Sequence, residues 1–131
     1  MKLVLLESGS AEMTELQATV TVLASAAIAY SELRAALAAA YRDQRLLQED
    51  FAAAKRELEK VWAATSRLGI DQALIQQAGG LAEEAELRGY EAVHLAALIR
   101  LGPPGVVDHF ACWDRELRMA ARNRGYRLLP T

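Results

Sequence analysis

The sequence predicts an α/β fold in which helices cover both faces of a parallel sheet. Short apolar stretches typical of buried strands recur along the chain, and longer stretches of helical character separate them. Strands that alternate with helices are typical of parallel sheets, because each crossover between parallel strands needs a connecting helix. No linker or repeat divides the chain, so residues 1–131 are expected to form a single domain. Four strands are recognisable, at residues 19–24, 65–70, 106–113 and 126–129.

Each element has a local reason in the sequence. The β-branched residues at 19–22 favour extended backbone. Apolar residues spaced along one helical face predict the helix at 46–62. Asp71 is placed to cap the helix predicted at 72–86. The Gly-Pro-Pro-Gly sequence at 102–105 ends the helix predicted at 90–101. Helices are predicted at 11–17, 30–41, 46–62, 72–86, 90–101 and 115–123.

The composition predicts an ordered protein of the cytoplasm. With 53% hydrophobic residues, the chain can bury a core, unlike a disordered segment. Its longest apolar run, residues 22–30, is too short to span a bilayer. The amino terminus lacks the full apolar region and cleavage site of a signal peptide. The single cysteine, Cys112, excludes an internal disulfide and a cysteine-based zinc site.

Charge is distributed unevenly along the chain. The net charge of −2 argues against a general nucleic-acid coat protein. The last helix is nevertheless rich in arginine, and Arg115, Arg118 and Arg122 are spaced to share one helical face. Such a stripe is usually a solvated surface, but its position directly after Asp114 also suits contacts with the phosphates of a substrate backbone.

Two acidic residues, Glu91 and Asp114, stand where helices begin. Ligands of open α/β sheets bind beyond the carboxyl ends of the strands, where these residues can converge. Two carboxylates brought together repel each other unless a cation lies between them, so the sequence outlines a magnesium or manganese site. The structural alternatives are a helix-dipole contact for Glu91, about 0.3–1 kcal/mol, and a helix cap for Asp114, about 1 kcal/mol. Capping and metal binding use different lone pairs, so Asp114 can do both.

Glu32 and His94 belong to helices that are largely apolar. A buried carboxylate needs compensation, so Glu32 calls for a cation or a cage of hydrogen bonds, unless it only complements the helix dipole. His94 lies one turn after Glu91, but imidazole is a poor ligand for a hard cation. We therefore predict that His94 is a packed, hydrogen-bonded helix residue, and that Cys112 is an inert buried thiol.

The chain resembles the PIN domain, and within it the VapC-type toxin ribonucleases of prokaryotic toxin–antitoxin pairs. The resemblance lies in four blocks of the sequence. They are Arg88-Gly89-Tyr90-Glu91-Ala92-Val93-His94-Leu95-Ala96-Ala97-Leu98, Cys112-Trp113-Asp114-Arg115-Glu116-Leu117, the closing Gly125-Tyr126-Arg127-Leu128-Leu129-Pro130, and the helix around Glu32 at residues 25–37. The order and spacing of these blocks are more specific than any one of them. The resemblance implies a PIN-like three-layer α/β/α fold.

Two departures from the family pattern stand out. The family begins with a hydrophobic strand that ends in an aspartate, whereas residues 1–10 look like the end of the first helix and the loop after it. The first strand and its aspartate are therefore expected to be missing, which leaves four strands and unpaired backbone groups at the centre of the sheet. In addition, Glu91 stands where the family usually has Asp, and the extra methylene moves the carboxylate by about 1.5 Å.

The resemblance implies a function and its participants. It implies a metal-dependent endoribonuclease that hydrolyses RNA with a metal-activated water, in which Glu32, Glu91 and Asp114 hold Mg²⁺ or Mn²⁺. It also implies a VapB-like antitoxin as partner and a homodimer, with the apolar side chains Leu47, Phe51, Leu58 and Trp62 as the surface for such contacts. The alternative is a catalytically impaired PIN remnant that binds the antitoxin or itself.

Overall fold

A parallel sheet of five strands organises the described part of the chain. The computed structural model describes residues 3–6 and 22–131, with side chains from Ala24 onward. Within that part the strands lie in the order β3-β2-β1-β4-β5, and every pairing is parallel. The elements are β1 (Leu3–Leu6), β2 (Val22–Ala26), α1 (Ala29–Arg42), α2 (Gln48–Ala63), β3 (Ser66–Leu68), α3 (Gln72–Ala85), α4 (Gly89–Leu101), β4 (His109–Ala111), α5 (Arg115–Asn123) and β5 (Leu128–Leu129).

The structure corrects the prediction that the innermost strand is missing. Leu3–Leu6, expected to end a helix, form β1 between β2 and β4, and Leu5 pairs with Ala24 on one side and Phe110 on the other. Four consecutive apolar residues do not by themselves distinguish a strand from a buried helical segment. Leu3–Leu6 form a strand because their position between β2 and β4 offers backbone hydrogen-bond partners on both sides. Glu7 and the helix predicted at 11–17 lie outside the described residues.

Most other predicted elements are confirmed, with shifts at their ends. Strand β2 is described from Val22 onward, and residues 19–21 of the predicted strand lie outside the described residues. Strand β4 is shorter than predicted because residues 103–107 form a turn, in which the backbone N–H groups of Val106 and Val107 both donate to the carbonyl of Pro103. Asp71 caps α3 as predicted, and its carboxylate accepts a hydrogen bond from the N–H of Leu74 at 2.8 Å.

Two apolar clusters lie on the two sides of the sheet and confirm the three-layer arrangement. The larger cluster joins Phe110 of β4 to helices α3, α4 and α5. The smaller joins Ala111, the next residue of β4, to α1 and α2 through Leu33 and Leu58. Successive strand residues point to opposite faces, so Phe110 and Ala111 mark the two layers. None of the helices in the described part is long and apolar enough to cross a membrane.

Helices α1 and α2 form a hairpin that buries part of its predicted contact surface. Leu58 and Trp62 are buried inside the protein, and Trp62 packs against the ring of Tyr30 at 5.5 Å. The ring of Phe51 stacks on that of Tyr41 at 4.7 Å. The predicted partner surface is therefore corrected: Leu58 and Trp62 are core residues, whereas Leu47 is 68% exposed.

Candidate active site

Glu32 lies in the first turn of α1, just after β2 ends. Its side chain is 22% exposed, and its Oε1 lies 2.6 Å from Nε2 of His94. His94 belongs to α4 and is fully buried. The predicted role of His94 as a packed, hydrogen-bonded histidine is confirmed, and its partner is one of the three candidate acids.

Glu91 is a buried carboxylate in the first turn of α4. Its side chain is 1% exposed, and both of its oxygens contact Arg88. Nε of Arg88 donates to Oε1 at 3.1 Å, and the backbone N–H of Arg88 donates to Oε2 at 3.3 Å. Charge and hydrogen bonds from one residue thus compensate for the burial of this carboxylate. Arg88 itself remains in contact with solvent, because its side chain is 71% exposed.

Asp114 begins α5 directly beyond the end of β4. Its Oδ1 accepts a hydrogen bond from the backbone N–H of Leu117 at 2.9 Å, which confirms the predicted helix cap. This contact occupies one oxygen, and no other described residue donates to the carboxylate. The half-buried side chain of Asp114 therefore keeps an oxygen for a further ligand.

Arg88 and Tyr90 join Glu91 and Asp114 in one neighbourhood. The guanidinium of Arg88 lies 5.6 Å from the ring centre of Tyr90. The pKa of Arg88 is raised above its ordinary value, first by Tyr90, then by the charge of Glu91 and more weakly by that of Asp114. The pKa of Tyr90 is also raised, first by partial removal from water and then by the two carboxylates, although Arg88 opposes this. The charges of Glu91 and Asp114 thus both act on the guanidinium of Arg88.

Helix α4 links the two halves of the candidate site. Glu91 and His94 are three residues apart and therefore project from one face of α4, so His94 reaches Glu32 while Glu91 lies beside Arg88 and near Asp114. The three acids are thus each connected to α4 or to Arg88 at its beginning. Across residues 24–131, however, no three His, Cys, Asp or Glu side chains are grouped so that they could hold a metal ion. Metal binding by Glu32, Glu91 and Asp114 stays a prediction.

The arginine stripe of α5 is divided in the structure. Arg115 and Arg122 are exposed, as contacts with a phosphate backbone would require. Arg118 is half-buried, and its guanidinium donates to the carbonyls of Cys112 at 2.7 Å, Leu129 at 3.2 Å and Pro130 at 2.8 Å. We therefore revise the prediction for Arg118, which holds the ends of β4 and β5 together.

Two residues of this region were not singled out from the sequence. Arg88 is the residue just before α4, and Tyr90 lies in the first turn of that helix, directly before Glu91. A signal existed for Arg88, because a residue at the helix N-cap and an acid three residues later form the spacing of a capping box. No local signal pointed to Tyr90, which joins the site through its contact with Arg88.

The fold and the acids at the beginnings of helices define a PIN-like domain, and a solved structure supports this class. The chain is similar to the crystal structure of PAE2754 from Pyrobaculum aerophilum, with a TM-score of 0.68 and 24% sequence identity. The match covers 98% of this chain and 90% of that one. At this identity the likeness shows the fold alone. No family model matches the chain.

Sequence relatives identify the family. The chain is 41% identical over 129 residues to Ribonuclease VapC45 of Mycobacterium tuberculosis (strain CDC 1551 / Oshkosh), and the match covers 98% of this chain and 88% of the relative. The same values hold for Ribonuclease VapC49 of Mycobacterium tuberculosis (strain ATCC 25618 / H37Rv). The chain therefore belongs to the VapC family of PIN-domain ribonucleases. This confirms the resemblance and the class of function inferred from the sequence, a toxin-type endoribonuclease.

Proposed function

We propose that this chain cleaves RNA by divalent-metal-dependent hydrolysis, with Glu32, Glu91 and Asp114 as its acidic site. The observation that carries the proposal is that acids from three separate helices are each connected to α4 or to its N-cap residue Arg88. Glu91 is buried there, His94 of the same helix contacts Glu32, and the charge of Asp114 reaches Arg88. Acids connected in this way are costly for stability, so the arrangement favours a functional purpose.

The donor set suits magnesium or manganese by its chemistry. Carboxylate oxygens are the ligands that these hard cations prefer. Glu32, Glu91 and Asp114 would hold the ion, which, when bound, lowers the pKa of a water and stabilises charge on the leaving oxygen. In the structure both oxygens of Glu91 accept hydrogen bonds from Arg88, and the positive charge of its guanidinium balances the charge of this carboxylate.

The residues around the acids suit a polyanionic substrate. Arg88 presents an exposed guanidinium beside two carboxylates, and Tyr90, 42% exposed, offers a ring for stacking against a base. Arg115 and Arg122 add positive charge along the helix that Asp114 begins. These side chains bind and orient the RNA, whereas the acids organise the reaction.

A second candidate is a binding module with impaired cleavage. The pairing of both Glu91 oxygens with Arg88 favours this alternative, because the longer side chain of Glu reaches back to the N-cap residue. In either case the partners that we propose are a VapB-like antitoxin and a second copy of the chain, in the cytoplasm. The exposed Leu47, at the tip of the hairpin between α1 and α2, is the residue of the predicted contact surface that remains available.

The test is RNA cleavage with a matched pair of variants. The chain, its Asp114→Asn variant and its Asp71→Asn variant are incubated with structured RNA and Mn²⁺ or Mg²⁺, and EDTA is added in a parallel set. Asp71 and Asp114 both cap helices, and Asn caps nearly as well as Asp, so both variants should fold.

We expect cleavage by the parent and by Asp71→Asn, and a loss of at least about 100-fold in Asp114→Asn and in EDTA. The magnitude follows because residues that merely orient metal ligands already contribute about 10- to 100-fold. Equal cleavage by both variants would remove Asp114 from the site. A folded parent that leaves RNA intact would favour the binding module.

A further inference from the structure

The contact between His94 and Glu32 is the closest polar contact in the candidate site. Nε2 of His94 lies 2.6 Å from Oε1 of Glu32, in the range of a strong, charge-assisted hydrogen bond. The side chain of His94 is 1% exposed, while that of Glu32 is 22% exposed. The histidine is therefore fixed in the core and the glutamate reaches outward from it.

The surroundings of His94 determine which nitrogen carries the hydrogen. An ionised Glu32 only accepts hydrogen bonds, so Nε2 must donate. Among the described residues, Nδ1 of His94 has no hydrogen-bond partner although it is buried. A hydrogen on Nδ1 would be a buried donor without an acceptor, which costs more free energy than a bare lone pair. The arrangement therefore favours a hydrogen on Nε2, donated to Glu32.

A histidine at this position is not explained by packing. All residues from Glu91 to Leu98 are buried, and all of them except Glu91 and His94 are apolar. A leucine at position 94 would fill such a site without leaving a polar nitrogen unpaired. What the histidine adds is a donor aimed at Glu32 from the helix that also carries Glu91.

We infer that His94 is a positioning residue, which holds the carboxylate of Glu32 against α4, the helix that also carries Glu91, and so places Glu32 for a cation. This inference rests on the proposed function. Glu32 stands on α1 and Glu91 on α4, and these helices pack on opposite faces of the sheet. The hydrogen bond fixes one oxygen of Glu32, and with it the rotamer of the side chain. Donors that orient ligating carboxylates are worth about 10- to 100-fold in metal affinity or activity.

The first arm of the test reads the hydrogen bond without any metal. The chain has two histidines, so nitrogen-15 spectra of the histidine-labelled chain are assigned with the single variant His109→Gln. We expect the spectrum of His94 to show a hydrogen on Nε2. The nitrogen-15 chemical shift of Nε2 should change in the Glu32→Gln variant. A hydrogen on Nδ1, or a signal that does not respond to Glu32→Gln, would overturn the inference.

The second arm measures Mn²⁺ affinity by titration for the parent, His94→Leu and His94→Gln, with thermal unfolding of each. Leucine fills the space without a donor, whereas the glutamine amide can still donate from about the place of Nε2. We expect the dissociation constant to rise about 10- to 100-fold in His94→Leu and to stay within about threefold of the parent in His94→Gln. His94→Leu should unfold at or above the temperature of the parent.

The outcomes separate this inference from the proposed function. If the parent binds Mn²⁺ and both variants bind it equally well, the positioning role is wrong and the proposed function stands. If both variants lose affinity and stability together, His94 is a packing residue only. A folded parent that binds no Mn²⁺ would overturn the proposed metal site and this inference with it. If His94→Leu does not fold, the positioning role is tested by the nitrogen-15 spectra and by the Mn²⁺ affinity of His94→Gln.

Discussion

Asp71 and Asp114 begin two helices in the same way but have different surroundings. Each accepts a hydrogen bond from the N–H of a leucine three residues later, at 2.8 Å for Asp71 and 2.9 Å for Asp114. The second oxygen of Asp71 is taken by Arg100 at 2.9 Å. No described residue donates to the second oxygen of Asp114, and Arg118, on the helix that Asp114 begins, binds backbone carbonyls instead.

The comparison shows that the same capping motif can leave its second carboxylate oxygen in different surroundings. At Asp71 this oxygen accepts from Arg100. At Asp114 the arginine one turn into the helix, Arg118, donates to backbone carbonyls instead, and within the described part of the chain the charge of Asp114 acts on Arg88. The sequence pattern of the two caps is the same, so only the arrangement of the neighbouring elements distinguishes them.

The largest change in stability is expected from replacing Arg118, whose guanidinium donates to three backbone carbonyls. Arg118→Met takes a charged donor from three carbonyls, so we expect the free energy of unfolding to fall by about 1–3 kcal/mol. Arg122→Met, on the same helix but exposed, is expected to change it by less than about 0.5 kcal/mol. Urea unfolding of both variants measures the difference.

The same pair of variants tests the RNA contact. In the Asp114→Asn background, which should not cleave, Arg122→Met is expected to lower the salt dependence of RNA affinity by about one unit of slope. Arg118→Met should leave this slope unchanged, because its guanidinium is engaged inside the protein. A stability loss in Arg122→Met equal to that in Arg118→Met would contradict the division of the arginine stripe.

The second prediction separates capping from charge at Asp114. Asp114→Ala removes the acceptor for the N–H of Leu117 and should lower stability by about 1 kcal/mol, which shifts Tm by roughly 3–6 °C in a domain of this size. Asp114→Asn keeps an acceptor and should unfold near the temperature of the parent. Thermal unfolding by circular dichroism measures both. A large loss in Asp114→Asn would mean that the negative charge itself stabilises the fold.

The smallest effect concerns the pH dependence of stability at Asp71. The N–H of Leu74 and then Arg100 lower the pKa of this carboxyl below its ordinary value of 3.8 in the folded state. The resulting stabilisation is present above the unfolded-state pKa and is lost as pH falls through the lowered folded-state pKa. The stability difference between the parent and Asp71→Asn should therefore be constant at higher pH and shrink in acid.

Urea unfolding of both proteins from pH ~6 down to pH ~2 tests this. Arg100→Gln is the matched control, since it removes one cause of the lowered pKa and keeps the cap. If the stability difference between the parent and Asp71→Asn grows as pH falls, the sign is opposite to the expected one. The ion pair with Arg100 would then not favour the folded state.

Local signals were sufficient for much of this protein. The caps at Asp71 and Asp114, the apolar stripe of α2 and the turn at residues 102–105 were all predicted, because each depends on residues within a few positions of one another. The blocks around Glu32, Glu91 and Asp114 also carried the family resemblance, which the sequence relatives confirm.

Contacts between distant residues were beyond such signals. Leu3–Leu6 was assigned to the wrong kind of element, because a short apolar run becomes a strand only when two neighbouring strands offer it partners. The burial of Leu58 and Trp62, the engagement of Arg118 with strand carbonyls and the contact between His94 and Glu32 likewise depend on elements far apart in the chain.

The sequence by itself determined the class of fold and the family, and it predicted three acids as the site of a ribonuclease. The tertiary structure decided what each of these acids contacts: Glu32 pairs with His94, Glu91 pairs with Arg88, and Asp114 accepts from the N–H of Leu117. The reason is physical. Helix caps and periodic apolar faces arise from short-range backbone geometry, whereas the partner of a carboxylate is set by the packing of whole elements.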